Sequence, residues 1–148
     1  MEISKNSGLF LSFSLSYMPS LNFTRLRGSM EALVPPFNEQ TAIAKVQRAE
    51  DLWNTKDPVK VSQAYTLDSE WRNRDLFLRG REAITTFLTE KWKMERQYKL
   101  KKRLFCFTNN KIAVEFEYEY VDENEVWWRA YGIEHWTFDS SGLMERRD

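Results

Sequence analysis

The stretch KIAVEFEYEYV, residues 111–121, alternates without a break. Ile112, Val114, Phe116, Tyr118 and Tyr120 fall on one parity; Glu115, Glu117 and Glu119 fall on the other. Successive side chains of an extended chain point to opposite faces, so this segment reads as a strand with one apolar and one acidic face. A sheet built on it must bury the apolar face under a second layer. Its other face is left wet or set against another chain. Asn109-Asn110 before it and Asp122-Glu123-Asn124 after it are turn residues, so the neighbouring segments fold back as antiparallel partners.

Those neighbours carry weaker versions of the same signal. Upstream, YKLKKRLFCFT has apolar Tyr98, Leu100 and Leu104 and then Phe105 and Phe107. The change of parity predicts a bulge near Leu104-Phe105. Downstream, EVWWRAYGIEHWTFD reads as a strand, followed by the turn SSG and a short last strand in LMERRD. Earlier in the chain, Ala42, Val46, Ala49 and Trp53 recur at helical spacing, with Asn38 or Thr41 as the cap. Asp57-Pro58 opens a second, short helix. SEWRNR and LFLRG read as a small strand pair. A third helix carries Ile84, Phe87, Leu88 and Trp92 on one stripe. The expected fold is therefore α+β, with helices covering one face of a mostly antiparallel sheet.

Parity also assigns faces. In SEWRNR, Trp71 and Asn73 share one face and Arg72 and Arg74 the other; an unpaired buried arginine is costly, so the arginines are expected outside. In WWRAYGIEHWTF the more apolar set is Trp128, Ala130, Gly132, Glu134, Trp136 and Phe138, which is expected to face inward and to bring Glu134 with it. A carboxylate among aromatic rings must be paired or titrate high. Lys102 is the expected partner, and if it reaches Glu134 the direction of that shift reverses. His135 falls outside by the same parity. Lys99, Lys101, Arg103 and Arg129 join the three glutamates on the outer face.

Composition narrows the function. The chain has 148 residues, enough for one domain with a substantial core. It carries 22 basic and 22 acidic residues, interleaved throughout, so no basic face argues for nucleic acid. One cysteine, Cys106, and one histidine, His135, exclude an internal disulfide and leave too few soft ligands for an ordinary zinc site. No motif calls for a cofactor, and no apolar run is long enough to span a bilayer. Aromatic residues make up 15% of the chain, which suits either a thick core or a ring-lined cavity. Residues 1–36 differ: rich in Ser, Leu and Phe and poor in acids, they read as a poorly ordered extension or as an organelle-targeting segment over 1–29, ended by Pro35-Pro36. A cytoplasmic location is otherwise expected. Residues 37–148 form the expected domain.

The segments AEDLWNTKDP, AYTLDSEWRNR, GREAITTFLTEKW, KIAVEFEYEY, WWRAYGIEHWTFD and GLM resemble the SnoaL-like branch of the nuclear transport factor 2-like superfamily, and within it a family of small proteins of unassigned function. The resemblance implies a cone, in which a strongly curved, mostly antiparallel sheet wraps a long N-terminal helix and two further helices. It also implies a pocket at the open end and dimerisation through the outer sheet face. Members resembling this chain often carry a longer last strand, which supplies part of the pocket rim. Matched to ketosteroid isomerases of that superfamily, Asn73 takes the place of the general-base aspartate, Glu134 that of the neutral hydrogen-bonding acid, and Ala49 that of the tyrosine. An amide cannot abstract a proton, so steroid-type isomerisation is not expected. The resulting expectation is a protein that binds a small apolar or carbonyl-bearing molecule. Trp71, Trp92, Lys102, Tyr118, Trp128 and Trp136 would form the binding set, with Asn73 and Glu134 as the chemically active pair. Two alternatives stand beside it. One is a cofactor-free isomerase, hydrolase or dehydratase using Glu134 as acid or base. The other is a dimeric protein-binding adaptor. Glu134 and Asn73 also admit purely structural roles, as an acid satisfied by Lys102 and as an amide at a strand end.

Overall fold

The computed structural model describes residues 32–148. The expectations for residues 1–29 and for most of 1–36 lie outside the described residues. Helix α1 runs Glu39–Asn54, α2 Pro58–Ser62 and α3 Arg81–Met94. The strands are β1 Tyr65–Asn73, β2 Leu76–Arg79, β3 Arg96–Phe107, β4 Lys111–Val121, β5 Trp127–Phe138 and β6 Met144–Arg147. The caps are those the sequence supplies. Asn38 and Thr41 form a reciprocal capping box on α1, and the Asp57 carboxylate accepts from the Val59 and Lys60 amides at the start of α2.

The six strands form one sheet in the order β2-β1-β6-β5-β4-β3. Every pairing is antiparallel except β1 with β6, which is parallel. The short β6 is thus the strand that joins the β1–β2 hairpin to the β3–β4–β5 meander. The parity change in β3 is a register shift between Leu104 and Cys106, at the predicted place. The acidic face of β4 meets the basic residues of its neighbours: Lys99 stands opposite Glu119, Lys101 opposite Glu117, Arg103 opposite Glu115, and Glu119 opposite Arg129.

The inner face packs on α1 and α3. Ala42, Val46 and Trp53 from α1 and Ile84 and Leu88 from α3 share a core with Leu100, Ile112, Val114 and Trp136 of the sheet. Each such aliphatic side chain stabilises by about 1.5–3 kcal/mol on full burial. Helix α1 also protects the edge strand β3, whose backbone would otherwise be a template for another chain. Asn54 donates to the Leu100 carbonyl (2.9 Å) and accepts from the Leu100 amide (2.8 Å). The Glu50 carboxylate accepts from the Lys102 amide at 2.6 Å. Glu50 therefore straps helix to strand. Among the described residues, no helix is long and apolar enough to cross a membrane.

Candidate functional site

A cavity of about 550 Å³ opens between α1, α3 and the concave face of the sheet. Its walls are rings supplied by different elements: Trp53 from α1, Phe87 from α3, Tyr98 from β3, and Phe116, Tyr118 and Tyr120 from β4. The three β4 rings are consecutive on the inward parity of the alternating stretch, and they stack as a ladder. Phe116 and Tyr118 are 6.0 Å apart and Tyr118 and Tyr120 5.8 Å. Tyr98 tilts onto Tyr118 at 5.1 Å. The base of the ladder depends on Gly132, opposite Phe116 on β5. A β-carbon there would lie 2.4 Å from the Phe116 ring, so only glycine lets that ring lie flat on the sheet.

The inner end is charged. Glu134 and Arg147 both line the cavity and both are buried, at 6% and 7% exposure. Arg147 Nη2 donates to Glu134 Oε1 at 2.5 Å. Lys102 Nζ donates to Oε2 at 2.8 Å, and Trp136 Nε1 donates to the same oxygen at 2.8 Å. Burial alone would push the Glu134 carboxyl up, but Arg147 and then Lys102 outweigh it and hold the group far below the ordinary glutamate value. Lys102 does reach Glu134, so the reversed direction is the one observed. Lys102 itself is lowered, mainly by burial and against the pull of Glu134. The two cations are also held over ring faces. Arg147 lies 4.7 Å from the Trp71 centroid and 5.3 Å from that of Trp53; Lys102 lies 5.2 Å from both Phe116 and Trp136.

A second ion pair stands nearer the mouth. Lys91 on α3 bonds Glu95 at 2.6 Å and lies 4.5 Å over the Tyr118 ring. Burial lowers the Lys91 pKa, with Glu95 opposing. Burial, followed by Glu95, pushes the Tyr118 phenol up to about 12. Asn73 also lines the cavity, and its carboxamide has no hydrogen-bond partner among the described residues.

The expected site residues separate into three groups. Glu134, Asn73 and Tyr118 line the cavity. Trp71, Trp92, Trp136 and Lys102 stand directly behind its wall. Trp71 stacks under Trp53 at 5.9 Å, Trp92 packs edge-on against Trp53 at 5.8 Å, and Trp136 and Lys102 hold Glu134 from the far side. Trp128 stands apart. It is 51% exposed, does not line the cavity, and donates its indole N–H to Asp122 at 2.8 Å. The inward parity of β5 holds from Phe138 back to Ala130, but at the start of β5 Trp127 and Trp128 are both exposed. Arg74 also departs from expectation. β1 ends at Asn73, and Arg74 sits in the hairpin turn at φ 59°, lining the cavity and not the outer sheet. Sequence reasoning missed Arg147 entirely, along with Lys91. Arg147 was hidden because it lies beside Arg146 in a four-residue strand, where parity has no apolar neighbours to anchor it. Its one available signal was the pairing rule itself: an inward glutamate between two cations needs both.

This curved sheet and its three helices are the nuclear transport factor 2-like fold. The structure is similar to an NTF2-like protein of unknown function from Exiguobacterium sp. 255-15 (10% identity, 70% of this chain and 93% of that one, TM-score 0.62). It is also similar to SalBIII, an epoxide hydrolase/cyclase-like enzyme of pyran ring formation in salinomycin (14%, 74% and 89%, TM-score 0.65). A third similar structure is Rv0760c from Mycobacterium tuberculosis, solved with estradiol-17beta-hemisuccinate (13%, 72% and 89%, TM-score 0.61). At these identities the likeness concerns the fold alone. No curated protein matches the sequence. The model of one protein family does match, over residues 35–148, and the chain belongs to that family, the proteins of unknown function DUF1348.

Proposed function

We propose that the protein binds a small molecule in the ring-lined cavity, without a covalent step. The observation that carries this reading is the cavity itself: about 550 Å³, within the range of small-molecule sites, with a wall of aromatic rings and charged groups at its inner end and mouth. The fold is shared with enzymes and with ligand-bound proteins such as SalBIII and Rv0760c, which makes both roles available to it. Turnover through Glu134 is the weaker reading. Both of its oxygens accept from cations or an indole, and its carboxyl stays ionised far into acid, so it has neither a proton to give nor free basicity to use near neutral pH. The test is calorimetric titration with a panel of neutral and charged two-ring aromatics. One-to-one binding that is lost in Ala130→Phe, a change that fills the cavity from β5, supports the reading. Saturable binding by no member of the panel overturns it.

A second reading concerns the outer sheet. Trp127, Tyr131 and Ile133 of β5 are each more than half exposed on the parity opposite to Glu134, beside the Arg103–Glu115 and Arg129–Glu119 pairs. An apolar row rimmed by matched charges suits a two-fold contact between copies of this chain. Light scattering tests this. A dimer that Tyr131→Glu dissociates is expected, and a wild-type monomer at micromolar concentration and low salt overturns it.

A further inference from the structure

Hydrogen-bond donors outnumber acceptors at the inner end of the cavity. Glu134 is the acid there, facing two cations, Lys102 and Arg147. Glu50 accepts from the Lys102 backbone amide at 2.6 Å and its charge offsets part of that of Lys102, while Arg147 has Glu134 as its acid. Arg147 spends one nitrogen, Nη2, on Glu134, while its buried Nε has no partner among the described residues. The indole N–H groups of Trp71 and Trp92 are also buried without an acceptor, but they lie behind the wall and do not open on the cavity. At the mouth, Asn73 has an unengaged carboxamide, and Arg74 forms no ion pair among the described residues. The acids that line the cavity elsewhere are mostly spent: Glu95 on Lys91, Glu90 on Lys93 and Asp148 on Arg146. Asp75, in the exposed turn beside Arg74, is the exception.

A buried donor without an acceptor is destabilising, and an excess buried cation more so. Ring faces relieve part of that cost, since a cation over an indole is attracted to it. Arg147 Nη1 makes no hydrogen bond among the described residues and is not sealed as Nε is, so it is the nitrogen left to a ligand. Ring faces do not supply the in-plane acceptor that a guanidinium N–H requires. An anion with two oxygens does, and a guanidinium edge matches it.

We infer that the ligand is an amphipathic monoanion, an apolar aromatic body carrying one carboxylate, whose carboxylate meets Arg147 at the inner end while the body lies along the Phe116–Tyr118–Tyr120 ladder. The inference rests on the cavity reading above and narrows it. Asn73 holds the outer end of the ligand, and Glu134 serves to position Arg147.

The experiment compares 2-naphthoate with 2-naphthamide on the full chain by calorimetry. The two share shape and ring area and differ in charge. Naphthoate is expected to bind at least about tenfold more tightly. Arg147→Met leaves the Glu134–Lys102 pair electrically matched, so the preference is expected to collapse to about twofold or less, with naphthamide affinity retained. Naphthamide binding as well as naphthoate in the wild type overturns the anion inference and leaves the cavity reading intact. Failure of both to bind overturns the two together. Should Arg147→Met not fold, the wild-type ratio still decides, since it needs no variant; a folded Arg147→Met that keeps the preference overturns the role of Arg147.

Discussion

Adjacent residues of β3 make two salt bridges that differ in almost everything but composition. Lys102 faces in and meets Glu134 with 2% and 8% of the two side chains exposed; Arg103 faces out and meets Glu115 with 78% and 34% exposed. Outside, water competes for both charges and the pair contributes little to stability. Inside, neither charge can return to water without unfolding the cone, so each depends on the other. One period-two register therefore makes an exchangeable surface charge and a fixed internal one from two adjacent basic residues. An internal charge of this kind adds little to stability over an apolar core, but losing half of it is severe.

The largest expected effect follows directly. Glu134→Ala strands Lys102 and Arg147 together and should cost about 3–5 kcal/mol in urea unfolding, the range for breaking a buried pair. The pH dependence has the same origin. The folded-state pKa of Glu134 lies below its ordinary value of 4.5, so its contribution is fully present above that value and is lost as pH falls below it toward the folded value. Unfolding followed from about pH 6 down to about pH 3 should show wild-type stability dropping in the acid arm. Glu134→Gln, already weaker at neutral pH, should lack that component. A wild type as flat as the variant would break the comparison at its root. Lys102→Met comes next. It removes one charged hydrogen bond and leaves Glu134 with Arg147 and Trp136, for a loss of about 1.5–3 kcal/mol. Gly132→Ala should cost about 1–3 kcal/mol by overpacking, and should push the Phe116 ring into the cavity and weaken ligand binding with it. The smallest effect belongs to the outer pair: Arg103→Ala should change stability by about 0.2–1 kcal/mol, falling toward zero in high salt. A larger loss there would sharpen the comparison differently, since it would mean that a second copy covers that face.

How much of this could be read in advance depended on the length of the pattern. β4 has five apolar positions in phase, and its ladder, its acidic face and its neighbours' basic residues all followed from that. Glu134 was legible because Trp136 and Phe138 fix its parity from one side. Trp128 was not, because parity states which side of a strand a residue is on and not whether anything covers that side. The N-terminal end of β5 is bare. Arg147 was beyond reach for another reason. MERR has no periodic signal, and its place beside β1 is a property of topology, contributed by residues far away in sequence. Arg74 turned on a single backbone angle in a two-residue turn.

β6 also governs when the molecule can become whole. Its four residues pair Tyr65 with Met144 and Trp71 with Arg147, across the whole stretch from the first strand to the last, while the β1–β2 hairpin, the β3–β4–β5 meander and the β5–β6 hairpin each close on near neighbours. Contacts between distant parts of a chain form late, because the loop entropy must be lost before they are made. The β1–β2 hairpin and the β3–β4–β5–β6 unit can thus assemble early and independently, with Arg147 brought beside Glu134 by the β5–β6 hairpin. Docking of β1 on β6 then seals the sheet and closes Trp71 over Arg147 in one event. A kinetic trap at this stage would be a nearly finished cone with an open seam between β1 and β6, its exposed edges free to pair with the same strands of another molecule.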